Sequence, residues 1–231
     1  MNLLNTTVKA LIGAASIIFS IGVSNASIIS TSGDVTLISA PTSVGINALQ
    51  SDSDLFGFSE VQNFTLLSDT YVNGTGSGLF TGTGNPATEM ITAGTSVDSY
   101  LFHVDSVTAT PATRFFGDVT FGTDILGIIF ERSELNQTDL TLGFAGTFYP
   151  GIEVNSSFRE FEFGTAGCGV GIFDCATISG DLRTLILDMG TTTQIDQIRV
   201  ITAASVPEPA SIALMGFGLV GLGFARRKKT A

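Results

Sequence analysis

The chain has no tryptophan, one histidine (His103) and two cysteines (Cys168 and Cys175) in 231 residues. That stock leaves no material for a zinc cluster, which draws its ligands mainly from Cys and His. Without Trp, and with only Tyr71, Tyr100 and Tyr149, there is no broad aromatic platform for stacking sugar rings. Lysine is confined to Lys9, Lys228 and Lys229. Residues 27–206 therefore carry five arginines against 20 acidic side chains, a net charge of −15. A surface of that sign repels phosphate backbones and excludes nucleic acid as a partner. It stays soluble, or attracts divalent cations. The glycine-rich run 73–85 has the Gly-x-Gly spacing of a phosphate loop, but no lysine and no helix follow it, so it reads as a flexible hairpin or exposed loop. Charged residues make up 13% and hydrophobic ones 44%, which excludes an acidic disordered tail as the main description.

Glycine is abundant, with 27 residues, and this points to tight turns rather than to a helical bundle. Runs of β-branched and aromatic residues recur between turn clusters such as Asn73-Gly74, Gly94-Thr95, Tyr149-Pro150-Gly151 and Ser179-Gly180-Asp181. Strands are expected over 35–38, 62–67, 77–81, 97–104, 114–121, 125–130, 141–144, 158–163, 182–187 and 197–202. Alternation puts Tyr100, Phe102 and Val104 on one face, as it does Phe115, Gly117, Val119 and Phe121. Ile198 and Val200 share another face, with Arg199 and Ile201 opposite. Residues 131–138 are the one stretch expected to form a helical turn or short helix. The fold expected for 27–203 is all-β, a two-sheet sandwich that is jelly-roll-like.

Both ends read as targeting segments. Lys9, an apolar run to Val23 and the small-x-small pattern Ser24-Asn25-Ala26 predict a signal peptide over 1–26, cut by signal peptidase between Ala26 and Ser27. At the other end Val206, Pro207, Glu208 and Pro209 close a linker over 204–209. An uncharged span over 210–225 follows, then Arg226, Arg227, Lys228 and Lys229 in the tail 226–231. Residues 209–225 as a helix span about 25 Å, slightly short of the ~30 Å hydrocarbon core. Snorkelling of Arg226 and local thinning cover the gap. The four basic residues stay cytoplasmic, so the domain faces outward. Two prolines around Glu208 hold the segment extended.

This three-part tail resembles the PEP-CTERM sorting signal of exported bacterial proteins. The resemblance implies processing by an exosortase at Val206 to Pro209. It also implies a membrane-anchored precursor delivered to the cell surface or matrix of a Gram-negative host that makes extracellular polysaccharide. The segments 97–105, 117–121, 125–129 and 196–202 also resemble ectodomains that accompany such signals, which adds to the fold and not to an activity.

Chemistry within the body is sparse. Export implies an oxidising compartment, so Cys168 and Cys175 are expected to form a disulfide. No metal site is firm. Asp52, Asp54 and Asp69, in polar loops, are the candidate ligands for calcium, without an ordered calcium motif. His103 shares a face with Leu101 and Asp105, but no Gly-x-Ser-x-Gly elbow is present. Glu160 and Glu162 would project about 7 Å apart from the solvent side of a strand, with Phe161 and Phe163 inward. Paired carboxylates near that separation occur in glycosidases. The expected function is an exported, non-enzymatic cell-surface or matrix protein without a cofactor. The alternatives are a calcium-assisted carbohydrate-binding module acting on extracellular polysaccharide and, third, a glycosidase.

Overall fold

The computed structural model describes residues 28–82, 87–108, 111–151, 159–162, 173–192 and 194–205. The expected signal peptide and membrane span lie outside them. Among the described residues, no helix is long and apolar enough to cross a membrane. In chain order the elements are β1 (Ile28–Thr31), β2 (Val35–Leu37), β3 (Leu55–Ser59), β4 (Phe64–Thr65), β5 (Thr70–Val72), β6 (Gly78–Thr81) and β7 (Glu89–Ile91). There follow β8 (Ser96–Asp105), β9 (Thr113–Phe121), β10 (Ile125–Ile129), α1 (Arg132–Leu142), β11 (Cys175–Ile178), β12 (Thr184–Thr191) and β13 (Ile195–Ala203).

The strands form two main sheets, ordered β1-β9-β12-β11-β6 and β10-β13-β8-β3-β2. All pairings within them are antiparallel except β2 with β3. The sheets stack as a sandwich through one apolar core. Tyr100, Phe102, Val104, Ile198 and Val200 come from the second sheet, and Phe115, Val119, Phe121, Leu185 and Leu187 from the first. This is the face that alternation predicts. Phe121 closes the contact, with its ring centroid 5.1 Å from Tyr100 and 6.4 Å from Phe102.

The second sheet is covered on its other face as well. Leu101, Ile129 and Ile201 pack there against Leu135 and Leu142 of α1 and against Val44, Phe58 and Val72. For this reason β8 and β13 are buried along nearly their whole length. α1 is the short helix expected at 131–138, carried on to Leu142 where it packs in the second core. Leu135, Thr138 and Leu142 recur at helical spacing on the buried face. The last turn closes with the Gly143 N–H donating to the Asp139 carbonyl at 3.1 Å. This helix replaces the strand expected at 141–144. The strand expected at 158–163 is corrected likewise. Its described part, 159–162, is irregular, although Phe161 is buried as expected and stacks on Phe130 at 4.9 Å.

Candidate functional site

Ionisable side chains gather at two places, one on each face of the second sheet. On the α1 side, Arg199 of β13 is fully buried. It donates to both oxygens of Glu60, from Nε at 2.7 Å and Nη2 at 2.8 Å, and from Nη2 to Asp139 at 3.0 Å. Its Nη1 donates to Thr138 Oγ1 and to the Leu135 carbonyl, which ties the sheet to the helix. Arg159 grips Asp139 with two bonds of 2.6 and 3.1 Å and donates to Asn136 and Gln197. Ser99 and Tyr149 hydroxyls donate to Glu60 at 2.6 and 2.8 Å. Two guanidinium groups thus face two carboxylates, and the polar atoms are mutually satisfied. Burial opposes the Arg199 charge, but Glu60 and Asp139 outweigh it and hold the pKa above its ordinary value. The arrangement is a clamp with no open coordination.

The second place lies between the sheets. Asp196 shares the inward parity of Ile198 and Val200 on β13, and Asp174 that of Ala176 and Ile178 next to β11. One carboxylate oxygen from each of them and one from Glu162 lie within 4.8 Å of one another. Asp174 and Asp196 are buried and Glu162 is half-buried. Asp174 accepts from the Gly190 N–H at 2.7 Å through one oxygen and from the Glu162 N–H at 2.9 Å through the other. The Asp174 N–H in turn donates to the Glu162 carbonyl at 3.2 Å. Neither Asp196 oxygen, nor Glu162 Oε2, accepts a hydrogen bond from a donor among the described residues, although the Glu162 carboxylate and Thr191 adjoin Asp196. Burial raises all three pKa values; repulsion within the cluster adds to this for Asp174 and Asp196, whereas for Glu162 the interactions with Asp174 and Asp196 oppose it. The ion pairs of the described arginines lie elsewhere, between Arg114 and Asp188, Arg183 and Asp124, and within the clamp.

The residues predicted as calcium ligands do not join this cluster. Asp52 ties down the loop after β8, accepting from the Ser106 and Thr108 hydroxyls at 2.6 Å each and from the Val107 and Thr108 N–H groups. Those bonds, led by Ser106, lower its pKa to about 2. Asp54 accepts from Thr36, Ser51 and Ser53, and Asp69 from the Ala93 N–H. His103 is fully buried beside Gln197, its Nδ1 3.0 Å from the amide nitrogen. Glu160 faces the Arg132 N–H at 3.4 Å. Glu162, expected on a solvent face, instead turns inward to Asp174 and Asp196. Sequence reasoning missed this convergence. The one available signal was an acidic residue on the core parity of β13. Cys175 is buried at the start of β11, while Cys168 lies outside the described residues. So do Ala26, Ser27, Val206, Pro207, Glu208, Pro209 and Arg226 to Lys229.

β13 ends at Ala203, and the Ala204 N–H donates to the Ser96 carbonyl at 3.0 Å, at the start of β8. The chain leaves the sheet there. Residues 205–229 match the model of the PEP-CTERM protein-sorting motif. That motif implies exosortase as the processing partner and an exported, membrane-anchored precursor. Comparison with curated proteins and with solved structures gives no match.

Proposed function

We propose that the chain is a cell-surface or extracellular-matrix protein whose sandwich is a stable, non-catalytic body and whose tail directs its sorting. The observation that carries this reading is the sorting motif at 205–229, which begins two residues after the last strand. A processing enzyme needs an extended segment free of the folded domain. Proline disfavours helix, the sequence places Pro207 and Pro209 on either side of Glu208, and β13 has already ended at Ala203. What supports a non-catalytic body is the use made of its chemical groups. His103 of β8 is fully buried against Gln197 of β13, and Glu60, Asp139, Arg159 and Arg199 are spent on each other.

The test replaces Pro207, Glu208 and Pro209 with alanine in the producing host. The variant is expected to keep its tail and accumulate in the inner membrane. Mass spectrometry of the exported wild type should show a product shortened near these residues. A variant with the same mature mass as the wild type would refute the proposed processing site.

A further inference from the structure

We infer that Glu162, Asp174 and Asp196 form a binding site for a hard divalent cation, calcium in preference to magnesium. This inference concerns the body of the protein and is independent of how the tail is processed.

The donor set is all carboxylate oxygen, which suits calcium or magnesium and not a thiolate- or imidazole-seeking metal. The three oxygens lie within 4.8 Å of one another. That spacing lets one ion touch all three carboxylates. Magnesium gives up its water shell reluctantly and is seldom held by protein carboxylates alone, so a buried all-carboxylate site favours calcium.

Two further observations point to a ligand. Asp196 is fully buried, and neither of its oxygens accepts a hydrogen bond from a donor among the described residues: its polar neighbours are the Glu162 carboxylate and Thr191, whose hydroxyl donates instead to the Gln194 carbonyl. A buried carboxylate left without partners costs far more than an exposed one, unless a cation compensates it. Asp174 is arranged as an anion: each of its oxygens accepts a backbone N–H, from Gly190 and from Glu162. Such bonds favour the ionised form and fix the carboxylate in place, while each oxygen keeps a lone pair for an ion. The overall acidity of the body concentrates cations around it.

The position gives the site a structural consequence. Asp196 stands near the start of β13, and Ala203, where the chain leaves for its tail, at the other end. Seven residues of strand place them about 23 Å apart. A cation here would pin β11 of one sheet to β13 of the other at the pole far from the tail. It would also anchor 159–162, the segment that carries Arg159 and Phe161.

The experiment titrates the full chain, purified in detergent and stripped with a chelator, with calcium chloride and with magnesium chloride. Calorimetry and thermal melts are the two readouts. The expected result is one saturable calcium site, with a dissociation constant on the order of 10⁻⁴ M as in extracellular modules. Calcium should raise the melting temperature, and magnesium should bind at least tenfold more weakly. Asp196→Asn keeps the shape and removes one charge. It should weaken calcium at least tenfold, abolish the calcium-dependent melting shift and leave the calcium-free protein no less stable than wild type. Glu162→Gln, at the half-buried position, should weaken calcium without a loss of fold. Saturable binding unchanged in both variants would place the ion elsewhere and overturn the inference. Absence of saturable binding would overturn it too, leaving a cluster neutralised by protons.

Discussion

Arg199 and Glu60 meet as a doubly hydrogen-bonded ion pair from which solvent is excluded on both sides. Arg199 lies in the middle of β13, Glu60 just after β3, and the Ser99 hydroxyl of β8, between those strands, donates to the same carboxylate. The guanidinium also lies 5.6 Å from the centre of the Tyr149 ring. One side chain therefore fixes β13, β3 and α1 relative to each other. This is why the outer face of the second sheet holds charge where a sandwich ordinarily meets water.

Breaking that pair should be costly, because what remains is a buried charge without compensation. Arg199→Met leaves Glu60 and Asp139 facing Arg159 alone, a net negative charge inside the protein. The expected loss is about 3–5 kcal/mol of unfolding free energy, read from urea melts. The double variant Arg199→Met with Glu60→Leu leaves Asp139 and Arg159 as a balanced pair. It should recover part of the loss. A double variant whose loss equals the sum of the two singles would show that the residues act independently and that the clamp is not a unit.

The two cysteines offer a separate handle. Cys175 opens β11 and pairs in register with Thr81 and Asp188, at the rim of the first sheet. The expected partner, Cys168, is seven residues earlier. Loop-closure entropy for so short a ring amounts to about 2.5 kcal/mol. Thiol titration of the denatured exported protein should find no free thiol before reduction and two after it. Reduction should lower the urea midpoint by the equivalent of about 2.5 kcal/mol. Two titratable thiols in the unreduced protein would remove the disulfide from consideration.

The inter-sheet core was legible because a strand repeats every two residues. Tyr100, Phe102 and Val104, or Phe115, Val119 and Phe121, stand out against smaller or polar alternates. β3 was not legible, and Gly57 is the reason. A glycine amid Phe56 and Phe58 reads as a turn, whereas here it makes room for the Phe102 ring, 2.5 Å from where a Cβ would stand. Nor did the sequence disclose a second core beneath α1. Polar Arg199, Gln197 and His103 alternate with apolar residues and so imitate a solvent face, although partners distant in sequence bury and satisfy them. The carboxylate cluster was hidden for a similar reason. Glu162, Asp174 and Asp196 are 12 and 22 residues apart, and only the packing of one sheet on the other, with the backbone bonds between Glu162 and Asp174, unites them.

His103 sets the acid limit of stability on the α1 face. Gln197 Oε1 accepts from Arg159 at 2.9 Å, so its amide nitrogen is the donor toward His103 Nδ1 at 3.0 Å and toward the Val44 carbonyl at 2.8 Å. That assignment makes Nδ1 an acceptor and the imidazole neutral. A proton on Nδ1 would put two donors face to face in a place closed to water. Burial accordingly pushes the histidine from its ordinary 6.5 down to about 4, with repulsion from Arg159 in the same direction. A depressed folded value stabilises the protein above the unfolded pKa. The contribution is lost as pH falls from about 6.5 through about 4, because the unfolded chain takes up the proton first. One group over that window is worth on the order of 3 kcal/mol. His103→Gln keeps an acceptor for Gln197 and cannot titrate. Urea midpoints of wild type and variant, measured from about pH 7 to about pH 4, should therefore converge as the solution is acidified. The carboxylate cluster contributes equally to both proteins and drops out of the difference. Curves that stay parallel through the whole range would mean that His103 takes up its proton at the same pH in the folded and unfolded chains, and that burial does not hold it neutral.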